Sequence, residues 1–462
     1  MQPHFHDNIR LSIQQIPISE IRFSANNPRR HSERQTQMLV ASIAEFGMVT
    51  PVLLDANNAL IAGEARVRAA TLSGLTVVPA ISITHLTAGQ IRAYRIAGNR
   101  LAEKAEWNKE VLASELNYLA SFDLDFNFDA IGFETAEADI LLESVAEATT
   151  NADDLPEIAA DRLPTSRPGD LWILGDHRVL CGSALDALAY AELLQGRLAT
   201  MVITDPPYNV KVDGHVSGLG QIKHREFAMA SGEMTDSQFV GFLTTCLGHA
   251  ANNSVDGAIH DIFMDWRHLY QLSIAALRIY SEQKNLCVWN KSNAGMGSLY
   301  RSKHEMVAIY KAGTAPHINN IDLGRHGRYR TNVWDYAGVN TFGKDRDAML
   351  AMHPTVKPVA LIADAIKDCS RRGDIILDPF GGSGTTFIAA EKTGRVGALI
   401  EIDPLYVDVI VDRWQSFTGR KAILAASGQT FEETAVGRVG GQTRLLLTHR
   451  ASSSCKNEGG CP

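Results

Sequence analysis

Seven residues decide how this chain folds: Val202-Ile203-Thr204-Asp205-Pro206-Pro207-Tyr208. Their apolar beginning is typical of a buried strand, and that strand stops at an acid followed by two prolines. Proline disfavours helix at the residue before it, so Asp205 and Pro206 are expected to be extended and then to turn. The Asp205 carboxylate and the Pro206 carbonyl could then accept both hydrogens of a planar amino group while Tyr208 stacks on its ring. An ordinary exit from a strand into a loop is equally compatible with these residues, because Asp and Pro are common in turns.

A second stretch, residues 373–386, carries a different kind of signal. An apolar strand over 375–377 ends at Asp378, and a glycine-rich turn, PFGGSGTT, follows before a helix. The next strand carries Glu401, about twenty positions on, which is the spacing at which a carboxylate binds the ribose hydroxyls of a nucleotide cofactor. The turn matches neither a Walker A loop nor GxGxxG, which favours a nucleoside without phosphates, such as S-adenosylmethionine.

Taken together, residues 204–208 and 378–384 resemble the amino-group DNA methyltransferases. Two further stretches fit that family, residues 332–334 (NVW) and 353–358 (HPTVKP). The target-base motif precedes the cofactor loop, which is similar to the motif order of the beta class. The resemblance covers residues 169–425.

The resemblance implies an α/β fold, a Rossmann-like doubly wound sheet that binds S-adenosylmethionine, with the two motifs at adjacent strand ends. It implies these cofactor-binding residues: Asp378, Phe380, Gly382, Gly384, Thr385, Glu401 and Lys357. It implies these catalytic residues around the target base: Asp205, Pro206, Pro207 and Tyr208. The partner would be double-stranded DNA, the base would leave the duplex, and methyl transfer would be direct, without a metal or a nucleophilic cysteine.

The region between the motifs, residues 209–350, is predicted to recognise the target. Its glycine- and histidine-rich beginning, 209–234, is predicted as a mobile loop. Residues 284–330 then hold eight Lys/Arg against two acids, Glu305 and Asp322, with aromatic residues interleaved. Such a run suits a surface that tracks phosphates, so a DNA-binding surface is favoured over an exposed strand pair with solubilising charge.

Residues 1–85 are predicted as a separate small α+β unit. It carries three stretches that resemble the ParB/sulfiredoxin-like superfamily: Asn27-Pro28-Arg29, Phe46-Gly47 and Gly63-Glu64-Ala65-Arg66. In that superfamily the glycine–arginine helix start faces a nucleotide or nucleic-acid phosphate. A solvated helix face for Arg66 and Arg68 is the alternative. Ala65 interrupts the usual arginine pair, which counts against nucleotide triphosphatase activity.

Composition divides the rest of the chain. Residues 86–148 show helical spacing and are predicted as a helical spacer, with a DNA-docking bundle as the alternative. Residues 149–168, with three prolines, are predicted as a linker, and 426–462 as a weakly ordered tail. The methyltransferase domain is predicted over 169–425.

The overall charge and the cysteines restrict the class of protein. A formal net charge of −8 means that any DNA-binding surface must be local. The six cysteines form no CxxC pair or zinc-like cluster, so reduced thiols and a cytoplasmic location are expected. No apolar run is long enough to span a bilayer, and no membrane association is expected.

The leading hypothesis is a site-specific adenine-N6 DNA methyltransferase, because Asp rather than Ser at position 205 is typical of adenine enzymes in the resembling family. Cytosine-N4 transfer stays open. A catalytically inert ParB-like DNA-binding regulator and a methyltransferase acting on RNA or protein are competing hypotheses. The recognition sequence, a homodimer and a partner restriction enzyme are left open.

Overall fold

The computed structural model describes residues 11–24, 27–121, 128–143, 152–153, 162–210, 230, 232–292, 299–321, 328–338 and 356–438. The chain divides into two compact units, Met1–Glu147 and Ala148–Pro462. Three predictions fall wholly or mainly outside the described residues. They are the start of the 353–358 motif, most of the 209–234 loop, and the tail from 439 onward.

The first unit is built on a four-stranded sheet. Its elements are β1 (Ile13–Pro17), α1 (Glu33–Phe46), β2 (Val52–Leu54), β3 (Leu60–Ala62), α2 (Glu64–Leu72) and β4 (Val77–Ser82). The strand order is β1-β4-β2-β3. Apolar residues of the strands and of α2 form its core, among them Val52, Leu54 and Val67, which are fully buried.

The start of α2 uses its glycine and its arginines inside this unit. Gly63 has φ 106°, and an added Cβ would lie 2.7 Å from Val52 Cγ1, so only glycine fits. The Arg66 guanidinium donates to the carbonyls of Thr50 and Pro51 at 2.9 and 3.0 Å, and Arg68 pairs with Glu64 at 2.6 Å. Arg66 is therefore bound to the backbone before β2, whereas Arg68, 57% exposed, stays on the solvated face of the helix.

Three further α-helices belong to the described part of the first unit: α3 (Ala88–Ala102), α4 (Lys109–Ser121) and α5 (Thr135–Glu143). The start of α3 is fixed by a capping box, in which the Thr87 and Gln90 side chains each bind the other's backbone amide.

The second unit contains a ten-stranded sheet. Its strands are β5 (Leu171–Leu174), β6 (His177–Cys181), β7 (Ala199–Thr204), β8 (Ser254–Met264), β9 (Glu282–Asn290), β10 (His304–Lys311), β11 (Val333–Asp335), β12 (Ile375–Asp378), β13 (Val396–Glu401) and β14 (Ile423–Leu424). The order is β11-β9-β10-β8-β7-β12-β13-β6-β5-β14. The five central strands, from β8 to β6, run parallel, and antiparallel strands flank them.

Helices cover both faces of this sheet, which confirms the doubly wound prediction. They are α6 (Ala187–Leu194), α7 (Asp236–Asn252), α8 (Leu269–Ala276), α9 (Val359–Cys369), α10 (Thr385–Thr393), α11 (Pro404–Thr418) and α12 (431–438). Successive residues of β7 alternate between the two layers: Met201 and Ile203 pack in the core of α9, α10 and α11, and Val202 in that of α6. A strand buried on both faces in this way has a continuous apolar sequence.

Two segments predicted as irregular are packed on the second unit. The backbone amides of Thr165 and Ser166, at the end of the predicted linker, donate to the Asp408 carboxylate at 2.6 and 2.9 Å. In the predicted tail, Phe431 is 3% exposed and its ring lies 5.2 Å from that of Trp172. These segments are held by isolated side-chain contacts, among them those of Asp408 and Phe431, and such contacts produce no periodic sequence pattern.

Among the described residues, no helix combines the length and the apolar character needed to cross a bilayer.

Candidate active site

The two sequence motifs meet because β7 and β12 are neighbouring parallel strands. Their register pairs Met201 with Ile376 and Val202 with Leu377. Both strands therefore end at the same edge of the sheet, where parallel α/β sheets bind ligands. Thr204 Oγ1 donates to Asp378 Oδ1 at 2.9 Å and ties the two strand ends together.

A continuous cavity of about 1170 Å³, open solvent at its mouth included, lies at this edge. Ten of the eleven residues predicted for the site line it: Asp205, Pro206, Pro207, Tyr208, Lys357, Asp378, Phe380, Gly382, Thr385 and Glu401. The cavity thus brings residues of both motifs to one pocket, where parallel α/β sheets bind ligands.

Gly384 is the predicted residue that is not part of the lining. It has φ 78° and precedes the first residue of α10. An added Cβ would lie 3.1 Å from Ile410 Cγ1. Gly384 therefore shapes the turn by its backbone conformation and its close packing on α11.

Two buried carboxyl groups form one end of the cavity. Asp378 accepts from Thr386 Oγ1 at 2.7 Å and from the Phe380 amide at 3.1 Å. Glu401 accepts from the Gly382 amide at 2.8 Å and from the Asp403 amide at 2.9 Å. Burial raises the pKa of each carboxyl to about 7, although these donors oppose the shift.

The donor set at this end fits S-adenosylmethionine. Glu401 and Asp378 offer acceptors for hydroxyl and ammonium groups, and the main chain of the glycine turn allows a close approach. The adjoining walls, including Phe380 and Ile402, are apolar. Hydrogen-bond donors and positive charge on the ligand would favour the ionised form of both acids, whereas a phosphate would be repelled.

Asp205 lies at the other end, held by two side chains. The Tyr208 hydroxyl donates to Asp205 Oδ1, and the Lys357 ammonium donates to Oδ2. Lys357 is buried, and its carbonyl accepts from Thr385 Oγ1 at 3.3 Å. Predicted as a cofactor residue, Lys357 places its ammonium on the acid of the target-base motif. Burial raises the pKa of Asp205, and the ammonium only partly opposes this.

Sequence reasoning missed Glu305 as a site residue. Its Oε2 lies 3.1 Å from Lys357 Nζ and 3.3 Å from the Tyr208 hydroxyl, and its Oε1 accepts from Lys291. Burial alone would raise the pKa of Glu305, but the two ammonium groups outweigh it and lower this pKa to about 2. In the sequence, Glu305 is one of two acids in a basic run. Its position on β10, next to β8 in the sheet, brings its carboxylate to Lys357 and Tyr208.

The basic run 284–330 is only partly available to DNA. Arg328 and Arg330 both bind Asp368, at 2.6 and 2.9 Å, and Lys291 is bound to Glu305. The count of cations in the sequence therefore overstates the surface charge. Tyr300 and Tyr329 are more than 80% exposed, as a base-contacting surface requires.

The sheet order, the cavity and the family match of residues 199–412 define the class of protein, the Rossmann-like methyltransferases that use S-adenosylmethionine. Residues 199–412 match the N6/N4 family described as DNA methylase, residues 4–98 match the ParB N-terminal domain, and residues 110–168 match the ParB-methyltransferase HTH domain. The chain therefore carries an N6/N4 DNA methylase domain and a ParB-type N-terminal domain, which confirms both resemblances. The HTH match covers part of the predicted spacer and the predicted linker.

Two relatives and one solved structure illustrate the similarity. The Type II methyltransferase M.HpaI of Haemophilus parainfluenzae is 28% identical over 268 residues, which are 54% of this chain and 77% of that protein. M.ScaI of Streptomyces caespitosus, also a Type II methyltransferase, is 40% identical over 90 residues, 20% of this chain and 30% of that protein. The crystal structure of an M1.HpyAVI–SAM complex is 18% identical with a TM-score of 0.36, covering 51% of this chain and 98% of that one.

Proposed function

We propose that this DNA methyltransferase acts on the N6 amino group of adenine, at a specific sequence in duplex DNA. The observation that carries the proposal is the shared cavity: Asp205 and Glu401 line the same space from strand ends that lie together. One end suits the cofactor and the other suits a planar amine. A base would have to leave the duplex to reach the Asp205 end, at a cost of about a few kcal/mol for unstacking.

The residues of the chain contribute by positioning and by charge. S-adenosylmethionine, when bound, supplies a methyl group on a sulfonium centre that is open to direct displacement. Asp205 and the Pro206 carbonyl would accept the two hydrogens of the target amine and direct its lone pair towards the cofactor end. Tyr208 would stack on the base. The raised pKa of Asp205, caused by burial, suits this carboxylate to take up the surplus proton of the methylated amine.

Adenine is favoured over cytosine by the residue at position 205. Asp, rather than Ser, at this position is typical of adenine enzymes in this family. Cytosine-N4 transfer is the alternative that the same cavity allows.

The other parts of the chain are proposed to serve DNA binding. The residues that match an HTH domain, together with the ParB-type domain, would add contacts to DNA beside those of the basic run. This favours DNA docking over a passive spacer for the helical segment. We further propose that the protein is cytoplasmic and that it belongs to a restriction–modification system. That the chain forms a homodimer stays a prediction.

Nucleoside analysis tests the proposal. The full chain is incubated with methyl-labelled S-adenosylmethionine and methyl-free amplified genomic DNA, and the digested nucleosides are identified by mass spectrometry. We expect N6-methyladenine. We expect Asp205→Ala to lose activity by about 100-fold or more, because an acceptor aimed at the reacting amine is removed. Asp176→Ala, at an exposed turn of the same unit, is the control and should be fully active.

Each competing function gives a different result. Detection of N4-methylcytosine would mean that cytosine, and not adenine, is the target base. Label in an RNA transcript but not in DNA would assign an RNA substrate. Salt-sensitive DNA binding without any methyl transfer would indicate an inert regulator.

A further inference from the structure

Glu305 closes a ring of four side chains around the target end of the cavity. Lys357 Nζ contacts both Asp205 and Glu305, and the Tyr208 hydroxyl also contacts both carboxylates. Each donor is thus shared between the two acids. A change at Glu305 must alter how Lys357 and Tyr208 bind Asp205.

The scaffold holds Glu305 firmly in this place. It lies on β10, opposite Trp289 of β9, and its side chain is 11% exposed. Lys291, at the other Glu305 oxygen, lies with its ammonium 4.5 Å from the centre of the Trp289 ring. This second cation lets the acid remain ionised in a buried position, since unpaired buried charges are costly.

The charges of the cluster balance. Asp205 and Glu305 carry two negative charges, and Lys357 and Lys291 carry two positive charges. If Glu305 were neutral, Lys357 would have Asp205 as its remaining acidic partner among the described residues. It would then bind Asp205 more strongly, and less of that carboxylate would be available to an incoming amine.

We propose that Glu305 is a positioning residue for the reaction: it shares Lys357 and Tyr208 with Asp205, so that neither donor is committed to Asp205 alone and the Asp205 carboxylate keeps acceptor capacity for the target amine. The inference rests on the proposed function, since it concerns the same amine-binding end. Glu305 does not itself line the cavity, and it acts through the two residues that it shares with Asp205.

The proposal predicts a pH effect with a defined sign. The titratable and charged groups near Asp205 are Lys357, Glu305, Tyr208 and, on the neighbouring strand, Asp378. Burial raises the pKa of Asp205, and the Glu305 charge raises it further, while Lys357 lowers it. Removal of the Glu305 charge should therefore lower the pKa of Asp205 and move the acidic limb of the pH profile of kcat to lower pH.

The experiment compares Glu305→Gln, Glu305→Asp and Glu282→Gln in the full chain, with methyl-free amplified genomic DNA and labelled S-adenosylmethionine. Glu282 is a matched control, because it is an ion-paired acid on the adjoining strand, away from the cavity. We expect Glu305→Gln to lower kcat about 10- to 100-fold, as small misplacements in active sites do. The KM for S-adenosylmethionine should stay within about twofold of wild type, because the contacts at Glu401 are untouched. Glu305→Asp should recover part of kcat, and Glu282→Gln should behave as wild type.

Three results are decisive. Wild-type kcat and an unshifted pH profile in Glu305→Gln would overturn the inference and leave the proposed function standing. Equal losses of cofactor affinity, thermal stability and kcat, without a shifted acidic limb, would assign Glu305 a purely structural role and also overturn it. An inactive wild-type chain would instead remove the proposed function on which the inference rests.

Discussion

At the scale of single residues, two opposing effects act on the protonation of Glu401 and Asp378. Burial favours their protonated forms and raises both pKa values to about 7. A ligand with hydroxyl or ammonium donors favours the ionised forms. The free chain therefore contains acids that are only partly ionised near neutral pH, and cofactor binding completes their ionisation.

This linkage predicts that S-adenosylmethionine binds more tightly at pH 8 than at pH 6. Below about pH 7 the Glu401 and Asp378 carboxyls are mostly protonated and must lose a proton to bind the cofactor, which weakens affinity. We expect the Kd to fall between pH 6 and pH 8 by about 10-fold for each carboxyl that must ionise, hence by up to about 100-fold for the two, and this is measured by titration calorimetry. Glu401→Gln should bind more weakly at pH 8 and show a smaller pH dependence.

The opposite dependence of affinity on pH would contradict this linkage. An affinity that is constant from pH 6 to pH 8, or that falls as pH rises, would show that these carboxyls are not the cofactor's acceptors. Glu433→Gln, at an exposed acid near the end of the described residues, should keep the wild-type pH dependence.

The site was predictable from the sequence where its residues follow strand ends. Asp205 and Asp378 each end an apolar strand, and the carboxyl ends of parallel strands share one edge of a sheet. Glu305 follows no such rule, since its position depends on which antiparallel strand lies beside β8. The contact between Lys357 and Asp205 is a tertiary contact that spacing cannot give.

At the scale of elements, composition misjudged what the charged stretches do. Arg330 lies in the basic run, yet its guanidinium is 15% exposed and binds Asp368 on α9, which is 7% exposed. The pair connects the segment before β11 to the helix behind the sheet. Lys303, the residue directly before β10, is exposed. Two cations from one run thus have different roles. Their burial distinguishes them, and composition does not show burial.

We therefore expect Arg330→Ala and Lys303→Ala to differ in kind. Arg330→Ala should reduce the free energy of unfolding by about 3 kcal/mol, because it takes one of two arginine partners from a buried carboxylate. Lys303→Ala should leave stability unchanged, weaken binding to duplex DNA, and reduce the slope of log affinity against log salt by about 1. Urea unfolding and DNA titrations at several salt concentrations measure these effects.

Either of two results would contradict these expectations. A stable Arg330→Ala with a reduced salt slope would mean that this arginine contacts phosphate. An unchanged salt slope in Lys303→Ala would place the DNA surface elsewhere.

At the scale of the whole molecule, the division of labour follows from where the site residues lie. Every residue of the candidate site belongs to the unit Ala148–Pro462, and the ParB-type domain belongs to the unit Met1–Glu147. The doubly wound sheet was predictable, because its buried strands are continuous apolar runs. The anchoring of 165–166 and 431 was not, because it depends on isolated contacts with residues elsewhere in the chain, such as Asp408, Arg438 and Trp172.

The most direct test of the proposed reaction is the distance between donor and acceptor in a crystal structure of the full chain. The crystal would contain duplex DNA and a non-reactive analogue of S-adenosylmethionine. We predict an extrahelical adenine with its N6 at Asp205, the analogue's hydroxyls at Glu401, and about 3 to 3.5 Å between the amine and the position of the transferred methyl group. A cofactor bound outside the cavity between β7 and β12, or a target base remote from Tyr208, would contradict the proposal.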